Sequence, residues 1–521
     1  MKRLLVLCLV AFGLQTVPAI TAPKASCARP EHPGGEWRMY GHDHANTRTQ
    51  PLEKEIDPSN AATLEPTWMF DAAAQPGVLD GGTFQHTPVI ADGCLYVGTS
   101  TGWAFALNAD TGKPVWSTQL FGQGGGALIG GVIVGSPTVV DGMVFLAVSK
   151  QGAPYVAALD QHTGAVLWKS TVMTTKKFTA VFNASPVYFD GMIFQGWLGV
   201  ESSGPTRGGY AIIDASRNCE NRFNVKCTRP ESGGRGGAIL ETRWTITDEE
   251  YKKGYHGASV WCTAAADLTE KYIYACGGNP HSEGKEARYA NSLFKVDADP
   301  RRSTFGDIVD HYKGRPDQYV QGAHRQPVCD HLAEETTVAG LWSIGCLMLD
   351  LDFGASPNLF RDSFGRLVLG DLQKAGVYHA VYADHMDPAW QTTISAPCLS
   401  CNATSGAYSN GRIFTVGSPA GHLVSIGARG PQEGRLQWLY PTHDIIHYQS
   451  VATANGVVYV VDSLGNFNIV AEDTGVPLMR RPMALDVGQF SPDLGSQGVS
   501  IARNRVYAAN SQFLVAYALP K

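Results

Sequence analysis

One unit recurs along almost the whole of this 521-residue chain, and it constrains the fold more than any single residue does. It runs from His86-Thr-Pro-Val-Ile-Ala-Asp-Gly-Cys-Leu-Tyr-Val-Gly98 to Ala106-Leu-Asn-Ala-Asp-Thr-Gly-Lys-Pro-Val-Trp116. It returns from Gly135-Ser-Pro-Thr-Val-Val-Asp-Gly-Met-Val-Phe145 to Ala158-Leu-Asp-Gln-His-Thr-Gly-Ala-Val-Leu-Trp168. Looser copies begin near Ala184, Gly257, Gly354, Ser395, Tyr448 and Gln497. Strand-like alternation repeated between Gly/Asp turns is the mark of a β-propeller, one four-stranded blade per repeat. Eight copies predict an all-β, eight-bladed β-propeller. Residues 37–49 and 64–70 look like N-terminal strands that pair beside the last blade at 506–517, a ring closure between N- and C-terminal strands that leaves no open sheet edge. Any chemistry is then expected around one central axis.

Composition narrows the partners. Apolar residues make up 44% and charged residues 17%, enough material for a large core, and 58 glycines suit a turn-rich fold. A net charge of −6 argues against an electrostatic grip on nucleic acid or an anionic membrane. After the first twenty residues no apolar run approaches the ~20 residues of a membrane span. Lys2-Arg3, an apolar stretch from Leu4 to Leu14, and small residues at Ala19, Thr21 and Ala22 predict a signal peptide over residues 1–22, hence a secreted or periplasmic protein with one propeller domain over 23–521.

Eleven cysteines less Cys8 leave ten, an even number in an exported chain, for which disulfides are the default. Proximity proposes Cys219 with Cys227, Cys262 with Cys276, Cys329 with Cys346, Cys398 with Cys401, and Cys27 with Cys94, though sequence does not fix connectivity. Cys398-Leu-Ser-Cys401 is followed by Asn402, where a c-type haem site has its ligand His, so no haem is expected. A zinc site is weak for want of a second pair. Insertions fall at 202–209, 218–237, 280–290 and 299–344, and in propellers such insertions gather on one face. In the Ala-x-Asp-x-x-Thr-Gly-x-x-x-Trp element the Asp and Gly make a tight turn, and Trp116 and Trp168 are expected to dock between blades.

At these residues the chain resembles the pyrroloquinoline-quinone (PQQ) repeat family, the eight-bladed quinoprotein alcohol dehydrogenases, and within it the polyvinyl-alcohol-dehydrogenase-like branch. The likeness rests on Trp37-Arg-Met-Tyr-Gly-His-Asp-His-Ala-Asn-Thr-Arg48, on Asp350-Leu-Asp-Phe-Gly-Ala-Ser-Pro-Asn-Leu-Phe360 and on Gly370-Asp-Leu-Gln-Lys-Ala-Gly-Val-Tyr378. It covers essentially the whole chain after the signal. The resemblance implies a divalent cation on the axis, held by a Glu and an Asn from successive blades. The matching residues are Glu201, fifteen after Pro186, and Asn279 in Tyr274-Ala-Cys-Gly-Gly-Asn-Pro280. Calcium suits such oxygen ligands. The family's aromatic floor for PQQ lies eighteen residues before the metal Asn, which is Trp261 here. Lys374 takes the place of the basic residue beside the quinone oxygens. Asp352 matches the catalytic base and also borders the cation, and Asp350 is either a further ligand or a hydrogen-bonding neighbour. Gly354, rather than a second Asp two residues after Asp352, favours calcium over a lanthanide. The alternatives are a solvated loop carboxylate for Glu201, a turn residue for Asn279, core packing for Trp261 and a surface lysine for Lys374.

The chain also departs from the family. Many members carry adjacent cysteines beside the cofactor with an Arg shortly after; no Cys-Cys pair occurs here, and residues 130–137 offer neither. The expected function is an exported PQQ-dependent alcohol dehydrogenase passing electrons to an external cytochrome or quinone. The alternative is a non-catalytic propeller acting as a binding or scaffold module. A hydrolase built on Asp350 and Asp352 is weaker, because glycoside hydrolysis needs carboxylates on opposite sides of the scissile bond.

Overall fold

The apolar stretches of each repeat fold back on themselves because the turns between them favour it. Asp92-Gly93, Asp141-Gly142, Asp190-Gly191, Asn410-Gly411 and Asn455-Gly456 all have positive φ at both positions, the left-handed turn whose twist matches paired strands. The computed structural model describes residues 27–121, 131–150, 153–171, 180–199, 205–217, 236–282, 285–316, 319–320, 323–324, 351–397, 401–418, 421–442, 444, 447–490 and 498–521. Among them stand eight sheets of four or five strands, the blades of an eight-bladed propeller. Blades 1 to 8 have inner strands Val89–Ala91, Thr138–Val140, Val187–Phe189, Ala265–Asp267, Asn358–Arg361, Ala407–Ser409, Ala452–Ala454 and Val499–Ala502. The ring closes as expected: Glu65–Asp71 pairs antiparallel with Phe513–Ala518 as the outer strand of blade 8.

Blades pack through tryptophans on their outer strands. Trp116 of blade 1 donates its indole N–H to Gln161 O of blade 2 at 2.9 Å, and Trp168 of blade 2 to Ser216 O of blade 3 at 3.2 Å. Trp438 of blade 6 repeats the contact with Glu472 O, and Trp68 closes blade 8 onto Ala109 O of blade 1. The indole lies where a side chain on the neighbouring Thr-Gly turn would stand: a Cβ on Gly164 would meet Trp116 at 2.6 Å, and one on Gly112 would meet Trp68 at 2.6 Å. The buried rings of Trp116 and Trp168 each contribute about 1.5–3 kcal/mol or more.

Nearer the axis the recurring Ser-Pro has a second cause. The backbone N–H of Ser136 donates to Ser185 Oγ, Ser185 N–H to Thr263 Oγ1, Thr263 N–H to Ser356 Oγ and Ser356 N–H to Ser405 Oγ, at 2.9 to 3.0 Å. This belt joins blades 2 to 6 and corrects the register of two repeats. The blade 4 copy assigned to Gly257 and the blade 6 copy assigned to Ser395 have their belt positions at Thr263 and Ser405; the belt needs a hydroxyl, not a following proline. The insertion expected from residue 299 is also shorter, because Ile308–Lys313 is the outer strand of blade 4.

Residues 37–49, expected as a strand, form none beyond Thr49–Gln50. They make a strap that turns about the axis, with positive φ at His42, Asn46 and Arg48. Trp37 bridges Ile90 of blade 1, and the carbonyls of Arg38, His44, Ala45, Thr47 and Arg48 accept from Val139, Ala266, Leu359, Tyr408 and Thr453 of blades 2, 4, 5, 6 and 7. His44 meets the backbone of Tyr188 in blade 3, and Gln50 Nε2 donates to Ile501 O in blade 8 at 3.1 Å. All eight blades are thus tied to one short segment. At its centre Arg48 is fully buried and donates to Val451 O, Tyr40 O, Val499 O and Thr87 Oγ1. Among the described residues no carboxylate pairs with it, and burial lowers its pKa to about 10.

Two of the expected disulfides are present, Cys27–Cys94 and Cys262–Cys276, and Cys401 is disulfide-bonded. Cys219, Cys227, Cys329, Cys346 and Cys398 lie outside the described residues.

Candidate functional site

Two kinds of connection meet at one end of the propeller: the segments leading into the inner strands, and the turns that follow the second strand of each blade. Trp261 and Asp352 lie on the segments leading into blades 4 and 5. Asn279 and Lys374 follow the second strands Tyr272–Gly277 and Leu367–Gln373 of the same two blades. The fold therefore delivers four of the expected site residues to one place. Glu201 and Asp350 lie outside the described residues.

Three of the four touch. Lys374 Nζ lies 2.6 Å from Asp352 Oδ1, Trp261 Nε1 donates to Asp352 Oδ2 at 3.1 Å, and the ammonium stands 4.5 Å from the centroid of the Trp261 ring. Asp352 is 1% exposed and Lys374 5%, so their attraction acts where water screens it little. The backbone reinforces the pair, because Lys374 N–H donates to Asp352 O at 3.0 Å. Asn279 is buried beside them: a Cβ on its neighbour Gly278 would stand 3.1 Å from Asp352 Oδ2 and 3.2 Å from Trp261 Nε1. Gly354 allows the indole to lie against the chain, since a Cβ there would meet Trp261 Cη2 at 2.6 Å. An indole face with a cation above it and a carboxylate at its edge fits a planar, polycarboxylated quinone. Among the described residues no group of three or more His, Cys, Asp or Glu stands together, so Asn279 and Asp352 represent the candidate cation ligands.

Some neighbours were not legible as site residues. Asn402 is fully buried with positive φ; its Nδ2 donates to Lys374 O at 3.0 Å and its Oδ1 accepts from Ser418 N–H and Ser395 Oγ. It braces the turn that carries Lys374. Between Trp261 and the strap lies a cavity of about 20 Å³, lined by Tyr40, His86, Asn183, Thr263, Ser356, Ser405 and Tyr448, room for a water among polar groups. His86 buries both ring nitrogens without a hydrogen-bond partner among the described residues, and burial together with the Arg48 charge pushes its pKa down to about 3. A histidine opening a Thr-Pro repeat was the available signal; in the sequence it looked like part of the repeat.

The comparisons with known proteins agree with this architecture. Residues 37–127 match the family model described as "PQQ: Glucose/ethanol/alcohol dehydrogenase, beta-propeller domain". The chain is 26% identical over 329 residues to quinohemoprotein alcohol dehydrogenase ADH IIB of Pseudomonas putida, covering 60% of this chain and 44% of that one. It is 26% identical over 375 residues to polyvinylalcohol dehydrogenase of a Sphingopyxis species, covering 68% of this chain and 49% of that one. The match thus spans less than half the length of these curated relatives. The crystal structure of quinohemoprotein alcohol dehydrogenase from Comamonas testosteroni superposes with a TM-score of 0.67 at 14% identity, covering 93% of this chain and 80% of that one, a likeness of fold. Repeat, blade number and relatives together make this chain an eight-bladed β-propeller similar to the quinoprotein alcohol dehydrogenases.

Proposed function

We propose that this protein is an exported, PQQ- and calcium-dependent alcohol dehydrogenase that passes electrons to an external acceptor, a cytochrome or a quinone. The observation that carries this reading is the buried Asp352–Lys374–Trp261 cluster, which blade packing does not require. Bound PQQ supplies the acceptor for the hydride leaving the alcohol carbon, and a calcium ion beside it supplies Lewis acidity. The protein supplies the rest. Trp261 offers a flat floor for stacking, and Lys374 sets a positive charge over that floor for the quinone oxygens. Asp352, next to Lys374, takes the hydroxyl proton at a carboxylate oxygen as the carbon gives up its hydride, so that the alcohol leaves as a carbonyl compound. Glu201, Asn279 and Asp352 would hold the cation. Residues 1–22 would direct export and be removed, leaving 23–521 as the propeller. Haem would belong to the acceptor, since Asn402 stands where a c-type site needs histidine and Cys401 is disulfide-bonded.

A second reading, a non-catalytic binding or scaffold propeller, is favoured by one observation. The stretch that would carry the cofactor clamp is apolar, and Gly135 has no room for a side chain, since a Cβ would lie 2.8 Å from Ala184 O. Reconstitution with PQQ and calcium, followed by absorbance and by alcohol-dependent dye reduction, decides between them. Uptake with alcohol-dependent turnover is expected; no uptake at micromolar PQQ leaves the scaffold.

A further inference from the structure

We propose that the hydrogen bond between Thr206 and His281 is a clasp that sets the Asn279 side chain, making both residues positioning residues for the cation; this rests on the reading of Asn279 as a calcium ligand. The bond is 2.7 Å from Thr206 Oγ1 to His281 Nδ1, and both residues are buried. It joins two blades, because Thr206 precedes Gly209–Asp214 of blade 3 while His281 follows Tyr272–Gly277 of blade 4.

Between them runs Gly257. Its N–H donates to Thr206 O at 2.9 Å and its carbonyl accepts from Gly208 N–H at 2.9 Å, while its other edge bridges Pro280. A Cβ on Gly257 would stand 2.3 Å from Asn279 O and 2.7 Å from His281 N, and its φ of +98° suits glycine alone. The three segments are therefore closely stacked at the end of the propeller that carries Trp261 and Asp352, with the Thr206–His281 bond spanning the middle one.

The stacking reaches Asn279 directly. Its carbonyl accepts from Ala258 N–H at 3.0 Å, and His281 N–H donates to His256 O at 2.9 Å. Pro280 restricts Asn279 to extended backbone conformations. The backbone bonds through Gly257 and Ala258 tie the Asn279–Pro280 turn to blade 3, and the Thr206–His281 bond adds a side-chain clamp across the same three segments. Nothing in blade packing needs a hydroxyl–imidazole pair at this place; a ligand whose amide oxygen must face a neighbouring blade does. Partners behind metal ligands commonly contribute about 10–100-fold to metal affinity.

The test is calorimetric titration of calcium into the full chain supplemented with PQQ, at a temperature well below each variant's unfolding. T206V, which keeps volume and removes the hydroxyl, should weaken calcium binding by roughly tenfold or more. T206S, which restores the hydroxyl, should return it to within about threefold of wild type. If T206V binds calcium as tightly as wild type, the clasp is wrong while the functional reading stands. If the wild type takes up no calcium with PQQ, both fall. Should T206V not fold, H281Q and H281L pose the same question from the other end of the bond: H281Q is expected to bind more tightly, and equal affinities would overturn the clasp.

Discussion

Asp352 accepts from an ammonium on one oxygen and from an indole N–H on the other; its amide counterpart keeps the shape and one of these acceptors, and gives up the other together with the charge. Asp352→Asn should therefore keep PQQ binding while lowering turnover by roughly 10²–10⁴-fold, the usual worth of a general base. Steady-state kinetics set beside PQQ titration checks this; a variant that loses cofactor and turnover together would make holding the cation, rather than taking the proton, the main role of Asp352. At this scale the sequence was legible where a residue sits in a rigid motif. Asp352 and Lys374 meet because Asp-Phe-Gly-Ala-Ser-Pro and Gln-Lys-Ala-Gly flank neighbouring strands of blade 5, and Trp261 reaches them from the segment leading into blade 4. Asn402 was read only as a missing histidine, because its grip on the Lys374 carbonyl depends on a contact 28 residues away in the chain.

Between blades 4 and 5 a buried polar network carries a pH dependence. Gln391 Nε2 donates to Tyr312 Oη, which leaves the phenolic proton for His379 Nδ1 at 2.9 Å; His379 Nε2 then gives its proton to Gln373 Oε1 at 2.8 Å. The imidazole is fully buried and neutral, and desolvation, aided by Arg315, brings its pKa from 6.5 down to about 3. As pH falls, protons bind the unfolded chain first. The stability contributed by the neutral imidazole is thus complete above pH 6.5 and is lost as pH falls toward 3, at about 1.4 kcal/mol per unit. Urea unfolding from pH 7 to 4 should show this slope added to that of the equally depressed His86, and His379→Gln should remove the His379 share and leave the rest. The strap offers a second prediction. Arg48→Met takes the guanidinium donor from the Val451 and Val499 carbonyls and leaves Tyr40 O with only the Trp37 indole N–H; it should cost roughly 3 kcal/mol or more in the same assay. The strap was the element least legible in the sequence. Nothing in its residue types marks the positive φ values at His42, Asn46 and Arg48 that turn it about the axis instead of along a strand.

For the whole molecule, repeat number and ring closure could be read directly, because each blade writes its own turns and strands locally. Register was harder: Thr263 and Ser405 satisfy the belt without the Ser-Pro signature, so two copies were placed early. The seam between blades 8 and 1 carries the structural load of closure. Glu65–Asp71 crosses it, Asp110 gathers Arg29, Arg503 and Arg505 there, and Cys27–Cys94 spans 67 residues beside it. Replacing both cysteines by serine should cost about 2–4 kcal/mol, seen as a lower thermal midpoint under non-reducing conditions; a midpoint equal to wild type would show that the strand and ion pairs suffice.

The strap also acts as a ruler. Propellers can gain or lose blades by duplication or deletion of a repeat, since each new copy needs only its neighbours. Here one fourteen-residue segment, Trp37 to Gln50, must reach every blade in turn, its left-handed residues spaced for a ring of this circumference. A duplicated blade would leave the segment too short to finish its circuit, and a lost one would leave it overlapping itself. The strap can dock fully only when the last blade is in place, so it checks the blade count at the end of folding and ties the size of the ring to one segment ahead of the first blade.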